Sequence, residues 1–178
     1  MSRAIFLDRD GTINEDVGFI WSAEKLVFIP GSIEALRMLQ KDYQLFIITN
    51  QSGIGKGIFS EEDFLKFNNY FINLLKTYDI HIRQVYYCPH TKEDRCKCYK
   101  PSPYFMFKAE EDYGVDLRES WVIGDHPHDV EMAHRAGAHS VYLLTGHGAK
   151  HRKEISVEPD FIAEDLYRAA VLILSTNY

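Results

Sequence analysis

An α/β fold on a mainly parallel sheet is predicted by three observations. Short apolar runs recur along the chain and alternate with segments of helical periodicity. Four of those runs are followed at once by a polar cluster carrying Asp, Thr, Cys, His or Lys. In an open parallel sheet the carboxyl ends of the strands form the ligand-binding edge, so four such clusters converge on one crevice. Helices covering both faces complete a three-layer, Rossmann-like arrangement. The chain has 178 residues, 46% hydrophobic and 26% charged. It is read as one domain over 1–178, large enough for a full core and too small for a separate cap domain.

The first element is Ala4-Ile5-Phe6-Leu7, a buried strand that stops at Asp8-Arg9-Asp10-Gly11-Thr12. Two carboxylates one residue apart repel each other unless a cation or a phosphoryl-transfer cycle needs both. The spacing lets one attack phosphorus while the other reaches the leaving oxygen; the bland alternative is a solvated Asp-Gly turn. A helix follows, with Ile33, Leu36 and Leu39 on its apolar faces. Tyr43–Thr49 is the second strand, leading into Thr49-Asn50-Gln51-Ser52-Gly53. The segment 53–57 has three glycines but neither the P-loop order nor a complete dinucleotide fingerprint, so it is read as a flexible substrate-side loop. Ser60-Glu61-Glu62-Asp63 has the form of a capping box. Phe64, Phe67, Phe71, Leu74 and Leu75 continue it at helical spacing and belong to the core.

Gln84–Tyr87 is a short third strand, followed by Cys88-Pro89-His90 and Cys96-Lys97-Cys98 before Lys100-Pro101. All three cysteines lie within 88–98, which points to metal ligation rather than a disulfide framework. Cys88, His90, Cys96 and Cys98 form a complete Cys₃His set, suited to a closed structural zinc site. Free buried cysteines and a redox pair are the alternatives. Trp121–Ile123 is the fourth strand, ending at Gly124-Asp125-His126-Pro127-His128-Asp129. Ser140–Leu144 and Phe161–Ala163 supply two more. His147 and His151 fall in or beside a polar connection to which the sequence assigns no role.

The ordered set Asp8-x-Asp10-x-Thr12, Thr49, Lys100 and Gly124-Asp125 with Asp129 resembles the haloacid dehalogenase-like superfamily of phosphohydrolases. The resemblance runs from the first strand to the fifth. It implies that Asp8 is a nucleophile and Asp10 a general acid and base. Thr49 and the amide of Asn50 then contact the transferred phosphoryl group, and Lys100 offsets its charge. Mg²⁺ is implied between Asp8, Asp125 and the backbone carbonyl of Asp10. Asp129 is left open: it orients Lys100 or a metal-bound water, or favours a helix N-terminus.

The Cys-x-His and Cys-x-Cys loop, Thr49–Ile54, Gly11–Asn14, Asp16–Phe19 and Ile29-Pro30-Gly31 resemble the heptose bisphosphate phosphatase and histidinol-phosphatase-type branch. That implies action on D-glycero-D-manno-heptose 1,7-bisphosphate, removing the 7-phosphate, with histidinol phosphate or another phosphosugar as alternatives. It also implies substrate contacts from Asp16, Val17, Gly18, Phe19, Asn50, Gln51, Ser52, Tyr99 and His126. Tyr99 and His126 depart from the Arg and Lys usual at those places, so the specificity shell is altered while the reaction core is intact. The rival of a different class is a noncatalytic phosphate-binding or zinc-stabilised interaction protein.

A net charge of −6 argues against affinity for nucleic acid or anionic membranes. No apolar stretch approaches a membrane span and no signal-peptide core follows Met1, so a cytoplasmic monomer acting on a small phosphorylated metabolite is expected.

Overall fold

The computed structural model describes residues 2–176. Its strands are β1 (Ala4–Leu7), β2 (Gln44–Asn50), β3 (Ile82–Cys88), β4 (Trp121–Gly124), β5 (His139–Leu143) and β6 (Phe161–Ala163). They form one sheet in the order β3-β2-β1-β4-β5-β6, with every pairing parallel. The chain winds outward from β1 through β2 to β3, then returns to β4 on the other flank of β1. That reversal opens a crevice at the carboxyl ends of the central strands.

Strand alternation sorts the core into two halves. Ile5, Leu7, Leu45 and Ile47 face one side and pack with α1 (Ser32–Leu39), with a longer helix over Glu61–Thr77, and with the C-terminal helix over Leu166–Thr176. Ala4, Phe6, Phe46, Ile48 and Val122 face the other, against helices over Tyr104–Tyr113 and Pro127–Ala136. In chain order the helices after α1 are α2 (Ser52–Gly55), α3 (Glu61–Thr77), α4 (Tyr104–Tyr113), α5 (Pro127–Ala136), α6 (Gly148–His151) and α7 (Leu166–Thr176).

The anticipated box opens α3: Ser60 Oγ accepts from Asp63 N and the Asp63 carboxylate accepts from Ser60 N. Phe64, Phe67, Phe71 and Leu75 are buried as expected, while Leu74, also assigned to the core, is only half-buried. Strand limits shift by one or two residues. Tyr43 closes the turn after α1 through its N–H to Leu39 O, so β2 starts one residue later than the apolar run. Pairing with β2 extends β3 to Ile82–Cys88.

The Gly-rich segment after β2 is a correction. Residues 52–55 are the helical turn α2, with Gly53 buried beneath Phe59 and Phe19, rather than an irregular loop. Among the described residues, no second sheet or helical bundle stands over the crevice. No helix among them is long and apolar enough to cross a membrane.

Candidate active site

The four polar clusters meet where the topology places them. Asp8 continues β1 through its N–H to Ile123 O at 3.0 Å. Thr49 and Asn50 end β2, and Gly124 ends β4, bringing Asp125 beside Asp8. Together they wall a cavity of about 330 Å³, lined by Asp8, Asp10, Asp16, Gly18, Phe19, Thr49, Asn50, Gln51, Ser52, Tyr99, Lys100, Asp125 and His126, with His128 and His147 besides. Every catalytic and substrate residue expected from the sequence is there except Val17. The turn closed by Gly18 N–H to Asp16 Oδ1 leaves the Val17 side chain in solvent, 53% exposed.

Lys100 is the electrostatic centre, and only 4% exposed. Its ammonium lies 2.9 Å from Asp8 Oδ1 and 2.8 Å from Asp129 Oδ1, and donates a third bond to Ile48 O at 3.2 Å. Burial opposes its charge, but the two carboxylates outweigh burial and hold its pKa above the usual lysine value. Three bonds exhaust the three N–H donors, so the charge is held in one place. Asp129 therefore orients Lys100. It also completes a box at the start of α5, where its Oδ2 accepts from His126 N at 3.1 Å.

Asp10 is gripped from three sides. Arg9 donates to both its oxygens at 2.9 Å, Asn14 to Oδ1 at 3.0 Å and Gln51 to Oδ2 at 3.2 Å. Arg9 is completely buried, its guanidinium over Phe67 at 5.0 Å and Phe64 at 5.7 Å. In the sequence Arg9 is only the variable residue between two aspartates. A signal was available, since a charged residue between a buried strand and a polar turn needs a partner. Gln51 also donates to Thr49 Oγ1 at 2.8 Å, which leaves the Thr49 hydroxyl proton free to point into the cavity.

Asp8, Asp125 and Asp129 offer carboxylate oxygens within 4.8 Å of one another. Burial first, and the charges of Asp8 and Asp129 next, push the Asp125 carboxyl up to about 8. Burial, partly offset by Lys100, likewise raises Asp8. An all-oxygen, mutually repelling cluster of this kind fits a hard divalent cation. The Asp10 side chain stands outside the cluster, so its expected part rests on the backbone carbonyl alone. Gly11, at φ +84°, leaves room for Asp125: a Cβ there would strike the Asp125 carboxylate.

The Cys/His loop gathers as its spacing implied. Cys88 Sγ lies 3.4 Å from Cys96 Sγ and 3.6 Å from His90 Nδ1; Cys96 and Cys98 are 3.5 Å apart. Cys98 Sγ lies closer still to Cys88 Sγ, at 2.8 Å, whereas a tetrahedral zinc with Zn–S of about 2.3 Å holds its ligands roughly 3.8 Å apart; the Cys₃His donor set suits that ion only with the sulfurs spread around it. The loop leads straight into the site. Cys88 O accepts from Gln51 N at 2.8 Å, and Lys100 N donates to Asn50 Oδ1 at 3.1 Å.

On the β4–β5 flank, the His126 and His128 rings lie 4.4 Å apart, tilted by 50°. Burial, then the neighbouring His128 and His151, lower His126 to about 4. Burial also lowers His128.

A family described as HAD-hydrolase-like matches residues 97–169. The D-glycero-beta-D-manno-heptose-1,7-bisphosphate 7-phosphatase of Pasteurella multocida is 35% identical, over 99% of this chain and 93% of its own. The alpha-anomer 7-phosphatase of Campylobacter jejuni is 37% identical over 80% of this chain and 83% of its own. The crystal structure of D,D-heptose 1,7-bisphosphate phosphatase from B. bronchiseptica, complexed with magnesium and phosphate, superposes with a TM-score of 0.90. It is 30% identical and covers 98% of this chain and 99% of its own.

Proposed function

Because the chain belongs to the haloacid dehalogenase-like hydrolases, in their heptose-1,7-bisphosphate 7-phosphatase branch, we propose that it is a Mg²⁺-dependent phosphomonoester hydrolase that removes the 7-phosphate of D-glycero-D-manno-heptose 1,7-bisphosphate through an aspartyl-phosphate. The convergence of Asp8, Lys100 and Asp129 at 2.8–2.9 Å supports this most directly. A carboxylate beside a fixed positive charge, at the wall of a cavity of about 330 Å³, is what an in-line attack on a phosphoryl group calls for.

The Asp8 carboxylate attacks phosphorus in line with the sugar oxygen, and the bond from phosphorus to that oxygen breaks. Asp10 gives its proton to the departing alkoxide. Asp10 then takes a proton from water as that water attacks the Asp8 phosphoryl group, releasing phosphate and restoring Asp8. Thr49 Oγ–H and the Asn50 N–H hold phosphoryl oxygens, and Lys100 offsets the charge left on them. Asp8, Asp125 and the carbonyl of Asp10 would hold Mg²⁺, which lets two anions approach and stabilises charge in the transition state. Phosphate monoesters are so inert that the combined effect must be on the order of 20 kcal/mol or more. Zn²⁺ on Cys88, His90, Cys96 and Cys98 would stiffen the loop that delivers Lys100.

Relatives acting on both anomers match this chain, so the test is phosphate release with Mg²⁺ from each anomer, from histidinol phosphate and from a phosphosugar panel. Selective turnover of a heptose bisphosphate, absent in Asp8→Asn, is expected. Turnover only of another phosphosugar would move the substrate, and no turnover of any would overturn the reading.

A further inference from the structure

Neither half of the reaction uses the turn between β5 and α6, yet it is built onto the site with unusual closeness. Thr145 Oγ1 donates to Gly11 O at 2.7 Å, beside the catalytic turn. Gly146 has φ +51°, and a Cβ there would run into the Asp125 carboxylate and the Gly11 Cα. Only glycine lets the backbone pass so near. The next residue, His147, donates its backbone N–H to Asp125 Oδ2 at 2.8 Å. Its ring points the other way, Nε2 lying 3.0 Å from Asp16 Oδ2. Tyr142 OH then anchors the far end of the turn on Gly148 O at 2.8 Å.

Asp16 divides its carboxylate between two tasks. Oδ1 accepts from Gly18 N at 2.8 Å and shapes the turn 16–18; Oδ2 receives His147. That turn presents Gly18 and Phe19 to the cavity. Its other end is braced by Phe59, with rings 6.2 Å apart, and by Lys56 over the Phe19 face at 5.6 Å. His147 is thus the link from the β5 side of the crevice to the turn that faces the body of the substrate.

We propose that His147 is a positioning residue: its ring latches the 16–19 turn across the crevice and so sets recognition of the sugar, while its backbone keeps Asp125 in place. The latch is the close approach of His147 Nε2 to the Asp16 carboxylate at 3.0 Å. This rests on the phosphosugar reading above for its substrate, but not for its geometry.

Removing the ring leaves the backbone bond to Asp125 intact, which separates the two tasks. In His147→Ala, KM for the heptose bisphosphate should rise tenfold or more, with kcat changing much less. The loss in kcat/KM should be at least tenfold greater than for acetyl phosphate, which has no sugar for the turn to contact. His147→Gln, whose side-chain amide reaches about as far as Nε2, should recover part of the loss. Asp16→Ala, which removes the partner of the ring, should reproduce at least that loss, and the double variant should be no worse than Asp16→Ala alone. Hydrogen exchange, read without substrate, should quicken at the Gly18 and Phe19 amides in His147→Ala while β1 stays protected. Equal losses on both substrates, additive losses in the double variant, or unchanged exchange at Gly18 would each overturn the latch. If the wild-type enzyme ignores heptose bisphosphates, the substrate reading fails; exchange still tests the latch.

Discussion

The Asp8–Lys100 pair sets the chemistry at the scale of single residues. Asp8→Asn keeps the shape and removes the nucleophile, so turnover should vanish while the thermal midpoint changes little. Residual turnover near the wild-type rate would remove Asp8 from that role. Arg9 is the less obvious case. A lysine cannot reproduce its two bonds to Asp10, which approach from a planar fork. Losing one charge-assisted bond costs about 1.5–3 kcal/mol, so Arg9→Lys should lower kcat roughly 10- to 100-fold. Asp10→Asn should slow both formation and breakdown of the phosphoryl-enzyme. Rapid-quench kinetics would resolve the two steps, and an unchanged rate in either would restrict Asp10 to the other.

Two elements convert chain geometry into catalytic geometry. The start of α5 uses Asp129 both to cap the helix and to hold Lys100, so stability and catalysis share one carboxylate. The Cys/His loop ties β3 to Lys100. With zinc on the proposed Cys₃His set, Cys98→Ser should lower zinc content and kcat without touching a reacting group; zinc content unchanged from wild type by atomic absorption would contradict the ligand set. The long helix α3 contributes chiefly packing, besides the Phe64 and Phe67 rings beneath Arg9. Phe71 is fully buried against Phe28 and Phe67, and Phe71→Ala should cost about 3–5 kcal/mol in denaturant unfolding.

For the whole molecule, the crevice concentrates negative charge that folding alone does not neutralise. Asp125 takes up protons up to about pH 8 in the fold but releases them near the ordinary carboxylate value of about 4 when unfolded. The native state therefore binds the extra proton across that window, and stability falls as pH rises through it. Without divalent cations the thermal midpoint should drop between pH 5 and 8, and millimolar Mg²⁺ should raise it more at pH 8 than at pH 5. Calorimetry with and without Mg²⁺ checks this; a midpoint gain independent of pH would contradict it.

Much was legible in the chain because it is local or periodic. The apolar runs identified six strands, since alternation and run length are properties of neighbouring residues. The aspartate pair, the Cys₃His spacing and the Lys-Pro step pointed to strand-end chemistry, and their resemblance to a known phosphohydrolase family named it. The Ser60 box and the α3 core positions followed from spacing alone. Left to the tertiary structure were contacts between residues far apart in sequence. Arg9 becomes the support of Asp10 only once α3 lays Phe64 and Phe67 beneath it, and Asp129 finds Lys100 only after β3 and β4 join the same sheet. His147 meets Asp16 because strand order closes one flank of the crevice against the other. The motifs and the family they resemble told which reaction this protein is equipped for. The packing of distant loops decided which side chains hold the reacting groups still, because a hydrogen bond depends on distances that sequence separation does not encode.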